Sequence, residues 1–254
     1  MVSLRSSLRA RLHLESLENR EVPAAPVLSG VSMRLLGDYL VITGNVQDES
    51  PGQAQVNVSG AASGSAAVRS DGFFEFIQQS TGGTISVQAH DIENLDSMPQ
   101  SDSVTTSPYN LAPYITITSV AYGANKQITV SGRVYDENPS GLSVTLSGAA
   151  SGTTTTGSNG AYSITLTASS LGTLEARTVD AQGLNSNVAT WVVTNEKPVI
   201  TGFNYSSLGG RTFRFSGHVS DDWCNVGLTV QFGSAIAAVN GQTAITDANG
   251  NFSL

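Results

Sequence analysis

The sequence predicts an all-β protein built of tandem antiparallel β-sandwiches, about seven strands each, arranged as beads on a string. Three observations lead there: a low-charge composition, an internal repeat, and period-two alternation within the repeat. Of the 254 residues, 100 are Ser, Thr, Asn or Gly, and only 13% are charged, about half the usual share. Thr, Val and Ile suit a pleated, half-buried surface, and Gly, Asn and Ser suit tight turns. One Cys excludes a disulfide scaffold and a cysteine zinc site. Two Lys in the whole chain exclude a coiled coil.

The net charge is −8. Residues 1–25 carry four Arg and three Glu, so the remainder holds eight basic and seventeen acidic side chains. An acidic body is repelled by phosphate backbones, so no nucleic-acid partner is expected. No apolar run approaches the roughly 18 residues of a membrane span, so none is expected either.

The repeat organises the rest. Segments VITGNVQDESPG (41–52), TVSGRVYDENPSG (129–141) and RFSGHVSDD (214–222) align on Gly44, Gly132 and Gly217. Pro26, Pro113 and Pro198 open the units, and Gly60–Gly64 recurs as Gly148–Gly152. Asp71-Gly72-Phe73-Phe74 becomes Asn159-Gly160-Ala161-Tyr162 and then Asn249-Gly250-Asn251-Phe252, while Asp91 with Ser97 becomes Asp180 with Ser186. The expected parts are an amino-terminal segment (1–24), repeat one (25–111), repeat two (112–196) and repeat three (197–254).

Repeat two is legible strand by strand. Ile115–Tyr122 alternates. Gln127–Val134 puts Ile128, Val130, Gly132 and Val134 on one face. Leu142, Val144 and Leu146 share a face, and Thr153–Thr156 forms a short polar strand. Tyr162, Ile164 and Leu166 alternate, as do Leu174, Ala176 and Thr178, and Ala189–Thr194 with Trp191 makes the seventh. Each strand thus has one buried and one wet face, and seven of them make a two-sheet sandwich. Asp71-Gly72 and Asn159-Gly160 predict type I′ hairpin turns. The junctions Asn110-Leu111-Ala112-Pro113 and Asn195-Glu196-Lys197-Pro198 predict short, semi-rigid links, because Pro fixes its own φ and extends the residue before it. Repeat three reaches only the counterpart of Ala161–Ile164. Its last two strands are expected to be missing, which predicts a fragment of a longer chain or completion by a partner strand.

In the first segment, Leu4, Leu8 and Leu12 recur at helical spacing between basic residues, without the unbroken apolar core of a secretory signal. It reads as a flexible tail. Arg11-Leu12-His13-Leu14-Glu15-Ser16-Leu17-Glu18-Asn19-Arg20-Glu21-Val22-Pro23-Ala24 resembles the start of many large planctomycete surface and secreted proteins. That resemblance implies an exported, cell-surface or extracellular protein. The repeat unit is similar to the immunoglobulin-like domains found in tandem in bacterial adhesins and envelope proteins. The motifs are the G-x-V-x-D-[ED] strand end, the [DN]-G-x-[FY] turn and Val179–Ser186. That resemblance implies immunoglobulin-like sandwiches and a structural or adhesive role.

Candidate chemistry is sparse. The pairs Asp48-Glu49, Asp136-Glu137 and Asp221-Asp222 recur in register, and Asp91 and Asp180 could join them if their loops share a pole. Several carboxylate oxygens suit calcium. The competing reading is that each acid accepts backbone N–H groups in a turn. No other cofactor is implied. His13, His90 and His218 are out of register and form no catalytic grouping. Cys224 is a lone small residue. Trp223 with Tyr205 is a weak candidate for stacking on a sugar ring. The Gly60–Gly64 stretch lacks the Lys and helix of a phosphate loop.

The reading is a non-enzymatic cell-surface or extracellular protein whose modules form a stalk or display scaffold. Its expected partners are a cell-surface protein or glycan. The alternatives are an accessory region of a larger extracellular enzyme, and a calcium-dependent carbohydrate-binding module.

Overall fold

A computed structural model describes residues 23–254, so the helical pattern at Leu4–Leu17, and all but the last two residues of the resemblance drawn on residues 11–24, lie outside the described residues. What is described is β throughout except for one turn of 3₁₀ helix at Pro51–Gln53. No helix among the described residues is long and apolar enough to cross a membrane. The residues group into two compact units. One holds 23–32, Thr43–Phe76 and Ile85–Asp102. The other holds Met33–Ile42, Ile77–Thr84 and Ser103–Leu254.

The strands follow the repeat. The first seven are β1 (Val27–Leu36), β2 (Tyr39–Gln47), β3 (Gln55–Gly60), β4 (Gly64–Ala67), β5 (Phe73–Gln79), β6 (Gly83–His90) and β7 (Gln100–Val104). They form two sheets, β1-β2-β5 and β4-β3-β6-β7. The next seven are β8 (Tyr114–Tyr122), β9 (Gln127–Tyr135), β10 (Ser143–Gly148), β11 (Gly152–Thr155), β12 (Ala161–Thr167), β13 (Gly172–Thr178) and β14 (Ala189–Val193). Their sheets copy the first pair, as β12-β9-β8 and β11-β10-β13-β14. The protein is therefore a tandem array of immunoglobulin-like antiparallel β-sandwiches.

Alternation fills the second core as expected. Ile128, Val130 and Val134 of β9 meet Val144 and Leu146 of β10 and Leu174 and Ala176 of β13. The strand bounds match the sequence reading to within two residues, because the alternation and the Gly, Asn and Pro residues that interrupt it are both local.

The third group has β15 (Val199–Gly209), β16 (Thr212–Ser220), β17 (Thr229–Gln231), β18 (Thr243–Ile245) and β19 (Asn251–Ser253). They form sheets β15-β16-β19 and β17-β18. Val219, Val230, Phe232, Ala244 and Phe252 make a small core. Along β15 every residue is exposed, including Phe203 and Tyr205.

One turn expectation is corrected. Type I′ needs positive φ at both central residues. Gly72, Gly160 and Gly250 have φ of 86°, 78° and 78°, but Asp71 and Asn159 are not in that region. The turn is closed one residue earlier, by Gly160 N to Gly157 O at 2.9 Å and Gly157 N to Ala161 O at 2.8 Å, and by Gly72 N to Arg69 O and Arg69 N to Phe73 O, both at 2.9 Å. It leads from one sheet into the other, since β11 and β12 lie in different sheets. The acid or amide bonds the backbone two residues on, through Phe73 N to Asp71 Oδ1 at 3.1 Å and Ala161 N to Asn159 Oδ1 at 3.0 Å. The glycine carbonyl instead accepts from the second strand: Val46 N to Gly72 O at 2.8 Å, Val134 N to Gly160 O at 2.9 Å, and Val219 N to Gly250 O at 2.8 Å. A Cβ at Gly160 would strike the Val134 carbonyl, so close backbone approach and positive φ both demand glycine there.

Candidate functional site

The candidate acids sit where β2, β9 and β16 end. In each pair the first residue turns back on the chain. Asp48 Oδ1 accepts from Ser50 N at 2.8 Å, Asp136 Oδ1 from Asn138 N at 2.7 Å, and Asp221 Oδ1 from Trp223 N at 2.7 Å and Cys224 N at 2.8 Å. This is the turn role that competed with calcium, and it occupies one oxygen of each residue.

The second residue faces the incoming linker. Ala24 N donates to Glu49 Oε1 at 3.1 Å, and Glu196 N donates to both oxygens of Asp222 at 3.2 and 3.3 Å. In repeat two the amide of Leu111 lies near Glu137, yet neither Glu137 oxygen has a hydrogen-bond partner.

The loops at Asp91 and Asp180 are built alike. Leu95 N donates to Asp91 Oδ1 at 2.7 Å; Gln182 N and Leu184 N donate to Asp180 Oδ1 at 2.9 and 2.8 Å. Beyond them, Ala89 N bonds Ser97 Oγ at 2.8 Å and Thr178 N bonds Ser186 Oγ at 3.0 Å. The linker reaches this loop in repeat two, where Asn110 Nδ2 donates to Asp180 Oδ2 at 2.7 Å. Asp136, Glu137, Asp180, Asn110 and Leu111 therefore gather at one pole of the second sandwich.

Their electrostatics are uneven. Burial raises the Asp136 carboxyl above the usual range, the Asn138 amide opposes this, and the charge of Asp180 adds to it. Burial likewise raises Glu137. Its own amide and that of Leu111 oppose without reaching hydrogen-bond geometry, and the charges of Asp136 and Asp180 push further upward. Burial pushes Asp180 upward too, but the Asn110 amide and the loop N–H groups outweigh it, leaving it below the usual range. Among the described residues, no three His, Cys, Asp or Glu side chains form a ready-made metal cage.

The other candidates resolve differently. Trp223 packs on the core of the second sandwich, with Lys126 Nζ 4.8 Å from its ring centroid. That face is covered, so the pairing with Tyr205 as a sugar platform is not formed. His90 Nδ1 pairs with Asp96 Oδ1 at 2.8 Å, a contact that raises the imidazole pKa. His218 lies with Arg214, Asp247 and Asn251 along a shallow, open groove on the third sheet.

The alignment of repeats did not foresee an apolar cluster at the entry to repeat two. Leu36 and Val41 pack with Tyr114, joined by Ile77, Leu111 and Tyr135. Tyr39 meets Tyr135 edge-on at 5.1 Å, and Arg133 donates to the Tyr39 hydroxyl. Arg34 Nη1 donates to Ala112 O at 3.3 Å. The signal was present as the aromatic residues Tyr39, Tyr114 and Tyr135 at strand ends, outside the alternation that marks a core.

No family model matches this chain, and no curated protein matches it. Among solved structures, the BSP domain of a biofilm-associated protein is similar over 66% of the chain at 22% identity and a TM-score of 0.31; the chain spans 29% of that structure's length. The D0–D1 domain of intimin is similar over 68% of the chain and 99% of its own length, at 19% identity and a TM-score of 0.27. A chimeric titin Z1Z2 is similar over 69% of the chain and 100% of its own length, at 14% identity and a TM-score of 0.27. At such identities the fold assignment stands on the strands themselves.

Proposed function

We propose that this is a non-enzymatic cell-surface or extracellular protein whose tandem immunoglobulin-like modules, repeats one (25–111), two (112–196) and three (197–254), serve as a stalk or display scaffold. The observation that carries this reading is the packed entry to repeat two. Leu36, Val41 and Ile77 bury against Leu111, Tyr114 and Tyr135, so the linker is held by side chains on both its flanks. A link of that kind transmits load and orientation, which is what a stalk requires. The polar groups of the turns support it too, since most are spent on their own backbone.

Adhesive contacts, on this reading, are made at exposed surfaces by strand addition. The exposed β15, with Phe203 and Tyr205 on it, is the surface most suited to an added strand or a protein partner. The covered face of Trp223 argues against a carbohydrate module.

Single-molecule stretching tests the mechanical part. Repeats spaced 88 and 85 residues apart at their anchoring glycines should unfold one at a time, repeats one and two each releasing about 30 nm and the shorter 197–254 segment about 20 nm, at about 3.6 Å per residue. A single unfolding event for the whole chain would contradict separate modules. Antibody labelling of intact cells tests the location, and labelling only after lysis would refute it.

A further inference from the structure

The oxygens left without partners are not scattered. Among the described residues, the buried side-chain oxygens that lack a hydrogen bond are Asp48 Oδ2, Asp91 Oδ2, Asp136 Oδ2 and both oxygens of Glu137. All five belong to the recurring acids. Asp136 is only 4% exposed and Asp91 only 3%. A buried carboxylate oxygen without a donor loses its hydration with nothing in return, so such groups are rare in folded proteins.

The turn explanation accounts for one oxygen and leaves the other. Asp136 Oδ1 is used by Asn138 N, while Oδ2 points to no donor. Glu137 sits beside it with both oxygens free of donors. The neighbouring Asp180 adds a third negative charge that both of them feel. Arg133, the nearest arginine in sequence, is directed to the Tyr39 hydroxyl instead. The same economy recurs in repeat one, where Asp48 Oδ1 caps its turn and Asp48 Oδ2 and Asp91 Oδ2 are buried without partners. Only the Asp48 and Asp136 position is unsatisfied in both copies: in repeat one Glu49 Oε1 accepts from Ala24 N, and in repeat two Asp180 Oδ2 accepts from Asn110 Nδ2, so two adjacent unpartnered carboxylates meet only at Asp136 and Glu137. In repeat three Glu196 N serves both oxygens of Asp222, and no oxygen of that pair is among the unpartnered ones.

We propose that Asp136 Oδ2 and the Glu137 carboxylate bind a hard divalent cation, calcium, at the entry pole of repeat two. The amide oxygen of Asn110 and water complete the shell, and Asp180 supplies charge from behind the Asn110 amide. Calcium takes 6–8 oxygen ligands at about 2.3–2.6 Å and accepts carbonyl, amide and water oxygens beside a few carboxylates. Two acids therefore suffice where no cage of three side chains exists. The donors are all oxygen, which selects against zinc and copper. Magnesium keeps its waters and demands a strict octahedron, so it binds more weakly here. Because Asn110 and Leu111 belong to the linker, the ion fastens the linker to the sandwich.

The test uses the whole chain, stripped with a chelator and titrated with calcium chloride in a calorimeter, with melting curves in parallel. The expected result is saturable binding and a rise in melting temperature of about 5 °C or more at a hundredfold excess over the dissociation constant. Glu137→Gln should remove the binding equivalent at repeat two, and Asp48→Asn should leave that equivalent in place. Without calcium, Glu137→Gln should melt at or above the parent, since it removes an uncompensated charge. Absence of saturable heat up to about 10 mM calcium, the weak end of calcium modules, overturns the proposal. So does calcium binding unchanged in Glu137→Gln, or a lower calcium-free melting temperature for that variant, which would mean the protein already satisfies the carboxylate.

Discussion

Gly132 of β9 lies directly opposite Tyr162 of β12, and a Cβ on Gly132 would stand 2.5 Å from the Tyr162 Cζ. The ring fills the space a side chain would take. Gly44 with Phe74 and Gly217 with Phe252 repeat the arrangement, at 2.8 and 2.6 Å to the nearest ring carbon. Glycine in a strand interior is ordinarily a weak choice; here it lets the ring lie across the backbone.

Gly132→Ala therefore overpacks the second core. It forces the ring and the Thr116 carbonyl apart, at an expected cost of about 1–3 kcal/mol or somewhat more. Gly157→Ala is the control. Its Cβ would find only ordinary contacts at 3.7 Å, so a change within about 0.5 kcal/mol is expected. Urea unfolding of the two variants measures the difference, and equal costs would show that the ring moves freely.

Tyr162 carries a second consequence. Its hydroxyl donates to Thr116 O at 2.9 Å, and the residue is buried. Burial pushes its phenol well above the ordinary range. The folded pKa exceeds the unfolded value of about 10, so the folded state favours the neutral phenol. The stabilisation this brings is fully present below pH about 10 and is lost as pH rises through the folded value. Tyr162→Phe should cost about 1 kcal/mol at neutral pH, because Thr116 O loses its donor. It should also flatten the fall of stability between about pH 10 and 12. Urea midpoints across that range provide the check, and parallel curves for the two chains would contradict it.

Ser97 and Ser186 occupy matching posts. Each hydroxyl takes a strand N–H, from Ala89 and Thr178, and passes its own proton to the next carbonyl, Met98 O at 3.2 Å and Asn187 O at 2.6 Å. Removing either hydroxyl strands a donor beside the core. Ser97→Ala and Ser186→Ala should each cost about 1–3 kcal/mol. Hydrogen exchange at the Ala89 and Thr178 amides would rise in the matching variant only. Unchanged protection at both would mean water replaces the hydroxyl without loss.

Strands were readable in the sequence because alternation and glycine breaks are local. Gln127–Val134 and Leu174–Thr178 needed only their own residues to be placed. The turn at Asn159-Gly160 differs from the type I′ expectation by one residue: Gly160 N closes on Gly157 O, and an Asn-Gly pair suits a turn followed by a positive-φ glycine as well as type I′, so the dipeptide alone does not choose between them. At the acidic site, sequence spacing brought out Asp136, Glu137 and Asp180. It missed Asn110, because an amide in a linker carries no spacing signal of its own. The packing of Trp223 on the second sandwich was not legible, because burial against a neighbouring sandwich leaves no mark on the residues around it, and the sequence left Trp223 only as a weak candidate for sugar stacking.

The linker cluster offers the sharpest measure of how repeat two is entered. Tyr39 and Tyr135 meet edge-on at 5.1 Å between centroids with an interplanar angle of 66°, the geometry in which one ring's positive edge faces the other's negative face. Arg133 lies 5.3 Å from the Tyr39 centroid and holds that ring in place. Tyr39→Ala and Tyr135→Ala should each destabilise the chain, and the double variant should cost less than their sum. The expected coupling is about 0.5–1.5 kcal/mol for an aromatic pair. Tyr122→Ala, at the far end of β8 from Tyr114, should show no coupling with Tyr39→Ala. A coupling near zero for Tyr39 with Tyr135 would mean the rings do not meet in solution and that the linker is held by Leu36, Leu111 and Tyr114 alone.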